Sequence, residues 1–372
     1  MGETREKDDG EGMSGTREEL TGVPGLARLV VVDRTGSTND DLRSALMGVD
    51  GRLDLRVAAA WPHISALWAR RQDAGRGRAG RRWITPPGSA LTVSFVLRPL
   101  VPAAALAWLP LLAGLAARDV VDAILISARA PWRARTKWPN DVVLVPNERA
   151  GEGTAAGAGV GIGVGEGTGG GAGAAAVPVP AEIPGWGRAR KVAGVLAELI
   201  PTAGGIGART SAGTTGTADA SGTTGTADAP GGGGAAGADR GAACAVVLGI
   251  GVNTGQSESE LPVPWATSLR LAGARVEPRA LLEPLSARLD ELVTAWEAGE
   301  GDPDAGDGAL GAALRRACTT LGQRVRVDAP GGVLRGTAVD IAPGLVLRGA
   351  DGTMRTVDAG DVSHVRTDGA VD

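Results

Sequence analysis

Apolar and polar positions alternate most regularly at Leu91–Leu97, where Leu91, Val93, Phe95 and Leu97 interleave with Thr92, Ser94 and Val96. A period of two puts one set on each face of a strand, and this set is apolar enough to be a core face. Leu55–Ala60 and Ser65–Gln72 also read as strands, as do the segments around Thr136, Val142, Val195 and Val247. Helical spacing appears at Leu42, Ala45, Leu46 and Val49, behind Ser37 as N-cap and Asp40 at the third helical position. A long helix is predicted over about 103–126 with a bend near Pro110, and two more over 278–298 and 309–318. From Gly322 the pattern changes to short strands at 324–327, 334–341, 345–347, 354–357 and 362–365, parted by PGG, PG and DG turns. These elements predict an α+β fold with a mixed or antiparallel sheet, closed by a small antiparallel barrel at 321–372.

Three stretches lack any period. Residues 1–24 are polar and Gly-rich and read as a disordered tail. Residues 146–188 hold 14 Gly in 43 positions. Residues 201–243 hold 13 Gly in 43 and repeat GTTGTADA directly, at Gly213–Ala220 and Gly222–Ala229. Side chains this small bury too little area to offset chain entropy. Each stretch lies between strand-like segments, so both read as overgrown hairpin loops within one continuous domain spanning 25–320. Growing a loop from 5 to 43 residues costs only about 2 kcal/mol in closure entropy.

Charge and composition then exclude several classes. Lys plus Arg is 38 against 42 Asp plus Glu, a net −4, which gives no general nucleic-acid affinity. Two Cys and two His leave no disulfide framework, zinc ribbon or His-rich metal site, so Cys244 and Cys318 read as buried thiols. The most apolar stretch, Val101–Ile126, is broken by Pro110, Arg118, Asp119 and Asp122. The N-terminal residues are charged and carry no apolar signal segment, so a cytoplasmic, membrane-free protein is expected.

Four short motifs could carry chemistry. In Gln72–Trp83 (QDAGRGRAGRRW), Gly75, Gly77 and Gly80 are interleaved with Arg76, Arg78, Arg81 and Arg82. Glycines let backbone N–H groups approach an anion, and guanidinium forks match phosphate or carboxylate oxygens. A solvated basic loop or an Arg-Gly contact with RNA would look the same. In Thr136–Asp141 (TKWPND), Lys137 is one of only three lysines, with Lys7 and Lys191, in a chain that otherwise uses Arg. An ammonium is a compact charge that can reach between two anions, although a strand-end lysine can also snorkel to water. Gly249–Asn253 (GIGVN) puts Gly-x-Gly at a strand end, where a backbone can approach a ligand or simply bulge, and it lacks the rest of a dinucleotide fingerprint. Gly36–Asn39 (GSTN) opens a helix whose N–H groups could face a ligand. There is no Walker A motif, and neither His63 nor His364 lies near a nucleophile motif. Chemistry would run on Lys, Arg and backbone N–H, which favours phosphoryl or adenylyl transfer.

In order and spacing, GSTN, QDAGRGRAGRRW, KWPND, RKVAGVLAEL (Arg190–Leu199) and GIGVN resemble biotin protein ligase. The resemblance covers residues 30–320, and 322–365 is similar to the SH3-like barrel that closes these proteins. It implies a class II synthetase-like domain that activates biotin with ATP and Mg²⁺ to biotinyl-AMP. Biotin then passes to a lysine of the biotin carboxyl carrier domain of acyl-CoA carboxylases. It implies that Lys137 stands between biotin carboxylate and α-phosphate, with Arg76 beside it in catalysis. Ser37, Thr38, Asn39, Gln72, Gly75, Gly77, Arg78, Gly194, Gly249 and Gly251 would contact biotin or the adenylate. Arg78, Arg81, Trp83, Asn140, Lys191 and Asn253 would lie at the nucleotide. Metal ligands and a homodimer are left open. The chain departs from the family in its two Gly-rich inserts. Only a tail-like segment precedes GSTN, in place of a winged helix, so no sequence-specific DNA binding is expected. A lipoate ligase shares this architecture, and a Gly/Arg-rich RNA-binding protein is the non-enzymatic alternative.

Overall fold

The computed structural model describes residues 3–7, 13–147, 180–202, 244–329, 331–358 and 360–364. Its first strands are β1 (Glu3–Lys7), β2 (Met13–Leu20), β3 (Arg28–Thr35), β4 (Ser65–Gln72), β5 (Gly75–Arg76), β6 (Arg82–Trp83), β7 (Ala90–Leu97), β8 (Trp132–Lys137), β9 (Asp141–Pro146), β10 (Arg190–Pro201) and β11 (Cys244–Asn253). Nine of them form one sheet in the order β1-β2-β3-β4-β7-β11-β10-β9-β8. Only β3 and β4 run parallel; every other neighbouring pair is antiparallel. Helix α1 (Thr38–Leu46) links β3 to the short α2 (Leu55–Ala58) and β4, while α3 (Leu109–Ser127), α4 (Leu282–Ala298) and α5 (Ala309–Ala317) complete the catalytic domain. The remaining strands, β12 (Arg324–Ala329), β13 (Gly332–Ala342), β14 (Gly344–Arg348), β15 (Met354–Val357) and β16 (Asp361–His364), form a separate sheet in the order β15-β14-β13-β12-β16, the SH3-like unit.

The alternation in β7 has an outcome that the pattern only half announces. Leu91, Val93, Phe95 and Leu97 pack in the large core with Leu112, Leu115 and Val121 of α3. Val96, from the other set, packs in a second core with Leu42 and Leu46 of α1 and Val247 of β11. Both faces are covered, so all eight residues of β7 are buried. Thr92 and Ser94 share the face of Val96, where the apolar side chains of α1 give way to its polar first turn, and Ser94 bonds Thr38 and Asn39 there. That polar end of the face becomes the site.

Four expectations need correction. Leu55–Ala60 is not a strand: Asp54 caps α2 by accepting from Arg56 N, and only Ala58 of its four residues turns inward. Val49 lies outside α1, which stops at Leu46, and Val49 is exposed. The bend near Pro110 is a change of helix type, with 3₁₀ geometry over Ala103–Trp108 before α3. Pro110 sits in the first turn of α3, where its missing N–H is no loss. The segment read as a tail contributes β1 and β2 instead, and Leu20 pairs opposite Leu29 and is buried. Pairing with β3 supplies its backbone groups with partners that composition alone does not reveal.

The two inserts connect antiparallel neighbours, β9 to β10 and β10 to β11. Residues 148–179 and 203–243 lie outside the described residues. Residues 180–188 do not behave as featureless loop; they form a turn with a bridge between Ile183 and Gly187. Among the described residues no helix is long and apolar enough to cross a membrane.

The ends of the second insert are already adjacent, because Pro201 pairs with Cys244. Replacing residues 203–243 with a four-residue turn is expected to leave the denaturation midpoint unchanged or to raise stability by up to about 2 kcal/mol, from closure entropy. Urea unfolding of the shortened chain checks this, and a loss of cooperative folding would mean that the insert packs.

Candidate active site

Strand register builds the floor. Gly194 of β10 lies opposite Gly251 of β11, and Gly251 opposite Thr92 of β7. One step along, Leu196, Gly249 and Ser94 form the next row. These rows lie at the N-terminal end of α1, past its apolar side chains. The glycines make the floor concave, and other side chains occupy the space. A Cβ on Gly251 would meet the Trp83 ring at 2.5 Å, and one on Gly194 would lie 3.3 Å from it. A Cβ on Gly249 would collide with the Asn39 amide. The direct neighbours of these glycines are therefore Trp83, Asn39 and, at Gly194, the Lys191 side chain.

The N-terminus of α1 forms a neutral polar wall. Ser37 caps the helix at Asp40 N. Thr38 donates to Gln72 Oε1 from its backbone N (3.0 Å) and from Oγ1 (3.2 Å). That leaves the Gln72 Nε2 donor free of those bonds, and the missing Cβ of Gly75 makes room for it. Asn39 is held at both ends: Ser94 Oγ donates to its Oδ1 (2.6 Å), and its Nδ2 donates to Glu198 Oε2 (2.8 Å). Arg43 donates to the other Glu198 oxygen at 3.1 Å. Asn39 thus positions the wall, and its own polar groups are already engaged.

The opposite side is cationic. The Arg-rich motif folds as the β5–β6 hairpin around a 3₁₀ turn at Arg78–Gly80. Arg76 pairs with Asp40 at 2.9 Å, Arg78 donates to Asn140 Oδ1 at 3.3 Å, and Arg81 pairs with Asp361 of β16 at 2.8 Å. Asn140 is fixed by its Nδ2 donating to Val195 O at 2.8 Å. Lys191 pairs with Asp141 at 2.6 Å and reaches over the Gly194 floor and the Trp83 ring. Lys137 is only 5% exposed, at the end of β8. Its Nζ donates to the Val362 carbonyl of β16 at 2.6 Å and lies 4.3 Å from the Trp186 ring centre. Burial pushes the Lys137 pKa down; Asp141 and Asp361 oppose this, while Lys191 and Arg81 add to it. Burial also disfavours the charge of Arg78.

Every candidate residue named from the sequence, except Gly75, lines one cavity of about 550 Å³. Asn253 reaches its edge but holds structure there. Its Nδ2 donates to Thr267 O and its Oδ1 accepts from Gln256, bracing the loop that carries Trp265. Sequence reasoning missed Ser94, Glu198, Trp186, Trp265 and the barrel residues Asp361 and Val362. Ser94 was legible as the polar partner in an alternating strand. Trp186 was legible as the one aromatic in a 43-residue stretch of Gly, Ala and Val. The barrel residues carry no local signal. Among the described residues, no group of three or more His, Cys, Asp or Glu could hold a metal. The acids of the cavity, Asp141 and Asp361, are already paired with Lys191 and Arg81, so a resident protein-held Mg²⁺ does not fit this site.

Residues 54–210 match the Biotin/lipoate A/B protein ligase family, and residues 320–365 the Biotin protein ligase C terminal domain. The chain is similar to the Biotin--[acetyl-CoA-carboxylase] ligase of Mycobacterium tuberculosis, 29% identical over 357 residues that make up 94% of each chain. It is 38% identical over 118 residues to the enzyme of that name from Paracoccus denitrificans, covering 32% of this chain and 42% of that one. Its fold is similar to that of a biotin protein ligase from Aquifex aeolicus solved in complex with biotin and ATP. There the TM-score is 0.51 at 19% identity, over 91% of this chain and 99% of that one.

The buried ammonium has a stability consequence. Folding lowers the Lys137 pKa, whereas the unfolded chain keeps the ordinary value near about 10.4. The unfolded state therefore binds more protons between those two values, and wild-type stability rises with pH across that window. Lys137→Met should stabilise the ligand-free protein by about 1–2 kcal/mol at neutral pH. The gain should shrink as the pH rises through that window and vanish above about 10.4, where both states are neutral. Thermal unfolding of both forms across this range checks the sign. A destabilised Lys137→Met at neutral pH would mean that the Val362 and Trp186 contacts outweigh desolvation.

Proposed function

Because the chain belongs to the Biotin/lipoate A/B protein ligase family, we propose that it activates biotin with ATP and transfers it to a lysine of a biotin carboxyl carrier domain. The observation that carries this reading is the convergence of Lys137, Lys191, Arg78 and Arg81 on one side of a cavity whose other side is neutral and polar. In the first step, a biotin carboxylate oxygen attacks the α-phosphorus, and pyrophosphate leaves. Two anions must approach, and fixed cations in a water-poor cavity lower the cost of that approach by several kcal/mol. In the second step, the carrier lysine attacks the acyl carbonyl, the acyl–phosphate bond breaks, and AMP leaves.

The residues divide accordingly. The free Nε2 donor of Gln72, beside Ser37 and Thr38, suits the ureido carbonyl of biotin. Lys191 reaches over the glycine floor and suits the carboxylate end. Lys137, deeper and under the barrel, suits the α-phosphate side. Arg78 and Arg81 suit the outer phosphates. Mg²⁺ is expected to arrive on the phosphates of ATP. A dithiolane has no group to match the amide and hydroxyl wall, which favours biotin over lipoate. Residues 320–365 also match a domain named for biotin protein ligases.

Incubation with ATP, biotin and a carrier domain should yield a biotinylated lysine with AMP and pyrophosphate. Lipoate in place of biotin should yield none; the reverse result would move the assignment to lipoate. Lys137→Arg keeps the charge but changes its shape and reach. Single-turnover adenylation should fall by about 10²-fold or more, for about 3 kcal/mol of lost transition-state stabilisation. Biotin binding, and transfer from pre-made biotinyl-AMP, should suffer less. Wild-type adenylation by this variant would remove Lys137 from the chemistry.

A further inference from the structure

Glu198 stands behind the neutral wall of the cavity and governs which way that wall donates. Gly194, Leu196 and Glu198 alternate along β10, so Glu198 shares the sheet face on which the glycine floor and α1 meet. Asn39 and Arg43 stand four residues apart on α1, on one side of the helix. The carboxylate oxygens divide between them: Oε2 accepts from Asn39 Nδ2 at 2.8 Å and Oε1 from Arg43 at 3.1 Å. An ionised carboxylate accepts and cannot donate, so it faces only the NH2 end of the Asn39 amide. Asn39 Oδ1 is thereby turned toward Ser94 and the Gly249 backbone. The consequence runs through two buried hydroxyls. Ser94 has one proton, and Asn39 Oδ1 takes it at 2.6 Å. Ser94 Oγ also lies 2.7 Å from Thr38 Oγ1, and with its own proton committed it accepts there from Thr38. The Thr38 proton is shared between Ser94 Oγ and the more distant Gln72 Oε1, at 3.2 Å. Both hydroxyl protons thus point into the protein. Thr38 Oγ1 keeps its lone pairs, next to the Gln72 Nε2 donor.

An acceptor beside a donor complements a cyclic urea, which carries an N–H beside its C=O. We propose that Glu198 is a positioning residue for ureido recognition. By fixing which way the Asn39 amide faces, it sets the direction of the Ser94 and Thr38 hydroxyls. This rests on the proposed reading of the cavity as a biotin site and adds the residue that sets its hydrogen-bond polarity. With the Asn39 amide reversed, Nδ2 donates to Ser94 Oγ and the Ser94 proton moves to Thr38 Oγ1. A lone pair that suits a ureido N–H is then occupied from within the protein.

The test uses the full chain and Glu198→Gln, which leaves one side-chain oxygen for two donors. Arg43 takes that oxygen, because a hydrogen bond from a charged donor is about twice as strong as a neutral one. The new NH2 then faces Asn39 and reverses its amide. The calorimetric Kd for biotin should rise about tenfold, the loss of one hydrogen bond. KM for ATP should not move. A thiolane pentanoic acid, which is biotin without its ureido ring, should bind both proteins alike. Glu198→Gln/Arg43→Met should recover most of the biotin affinity, because the oxygen returns to Asn39. A merely structural role predicts the opposite, since the second substitution removes a further contact. An unchanged biotin Kd in Glu198→Gln, an equal weakening of the ureido-free acid, or no rescue in the double variant would each overturn the proposal. The amide can also be read without any ligand. In ¹⁵N-Asn-labelled protein, a nuclear Overhauser effect from the Asn39 side-chain amide protons to the Gly249 Hα should be weak in wild type and strong in Glu198→Gln. The same pattern in both would overturn the proposal. A wild-type chain that binds no biotin would sink the functional reading, while the amide pattern would still decide whether Glu198 directs Asn39.

Discussion

A lysine ammonium held almost wholly out of water organises this molecule. Lys137 ends β8 at a point where the chain turns straight into β9, so the sheet edge itself aims the side chain inward. Its direct partners are weak for a full charge: one backbone carbonyl and the face of one indole. Asp141 is committed to Lys191, and Asp361 to Arg81. An ammonium so placed costs stability until an anion arrives, because desolvation penalises the charged form and little nearby repays it. The site is thus built to be completed by its substrates.

That same charge ties the two domains into one site. The carbonyl facing Lys137 belongs to Val362 of the barrel, and the carboxylate facing Arg81 belongs to Asp361 beside it. The flanking contacts keep β16 in place. Trp138, next to Lys137, donates from its backbone N to Thr320 Oγ1 and from its indole to Pro343 O. Arg315 of α5 forks onto Asp304 and also reaches Asp340 of β13. Val325, Ile341, Leu345 and Val362 share the large core with α3 and α5. The barrel is a wall of the cavity, and a small rigid-body displacement would strip the ammonium of its one carbonyl.

Legibility in the sequence followed the range of the interaction. Local rules located β4, β7, the Ser37 cap, the three long helical segments and the five barrel strands to within about two residues, because period and turn chemistry act over a few positions, whereas the two-residue strands β5 and β6 were too short to show a period. The shared cavity was legible as a set of motifs. Roles within it were less so. Gly249 and Gly251 read as openings for a ligand, yet their missing Cβ atoms admit Asn39 and Trp83. Asn39 and Asn253 read as ligand contacts, yet their amides brace other protein groups. The partners of Asn39, Gly249 and Gly251 are far away in the chain, so no window on the sequence contains both; Gln256 is only three residues from Asn253, but nothing in the sequence says that the two amides meet. Leu55–Ala60 failed for a different reason: four residues cannot separate a strand from one helical turn, and the Asp54 cap decided it.

The Gly-rich inserts read as loops for a sound reason, and at 180–188 the reading was misjudged for an instructive one. Their anchor points are set by strand register, Arg190 opposite Leu144 and Pro201 opposite Cys244, so added length costs only a logarithm of itself. Composition correctly says that Gly and Ala cannot form a core. It says nothing about a single large side chain near the anchor. At 180–188 the chain must return to the start of β10, which is also the rim of the cavity, so whatever stands there is held close to the site by connectivity alone. One indole in that position meets a second indole and a buried cation, and those contacts order the turn that carries it. Proximity set by topology, together with one residue able to use it, is enough to make the turn before β10 part of the cavity wall.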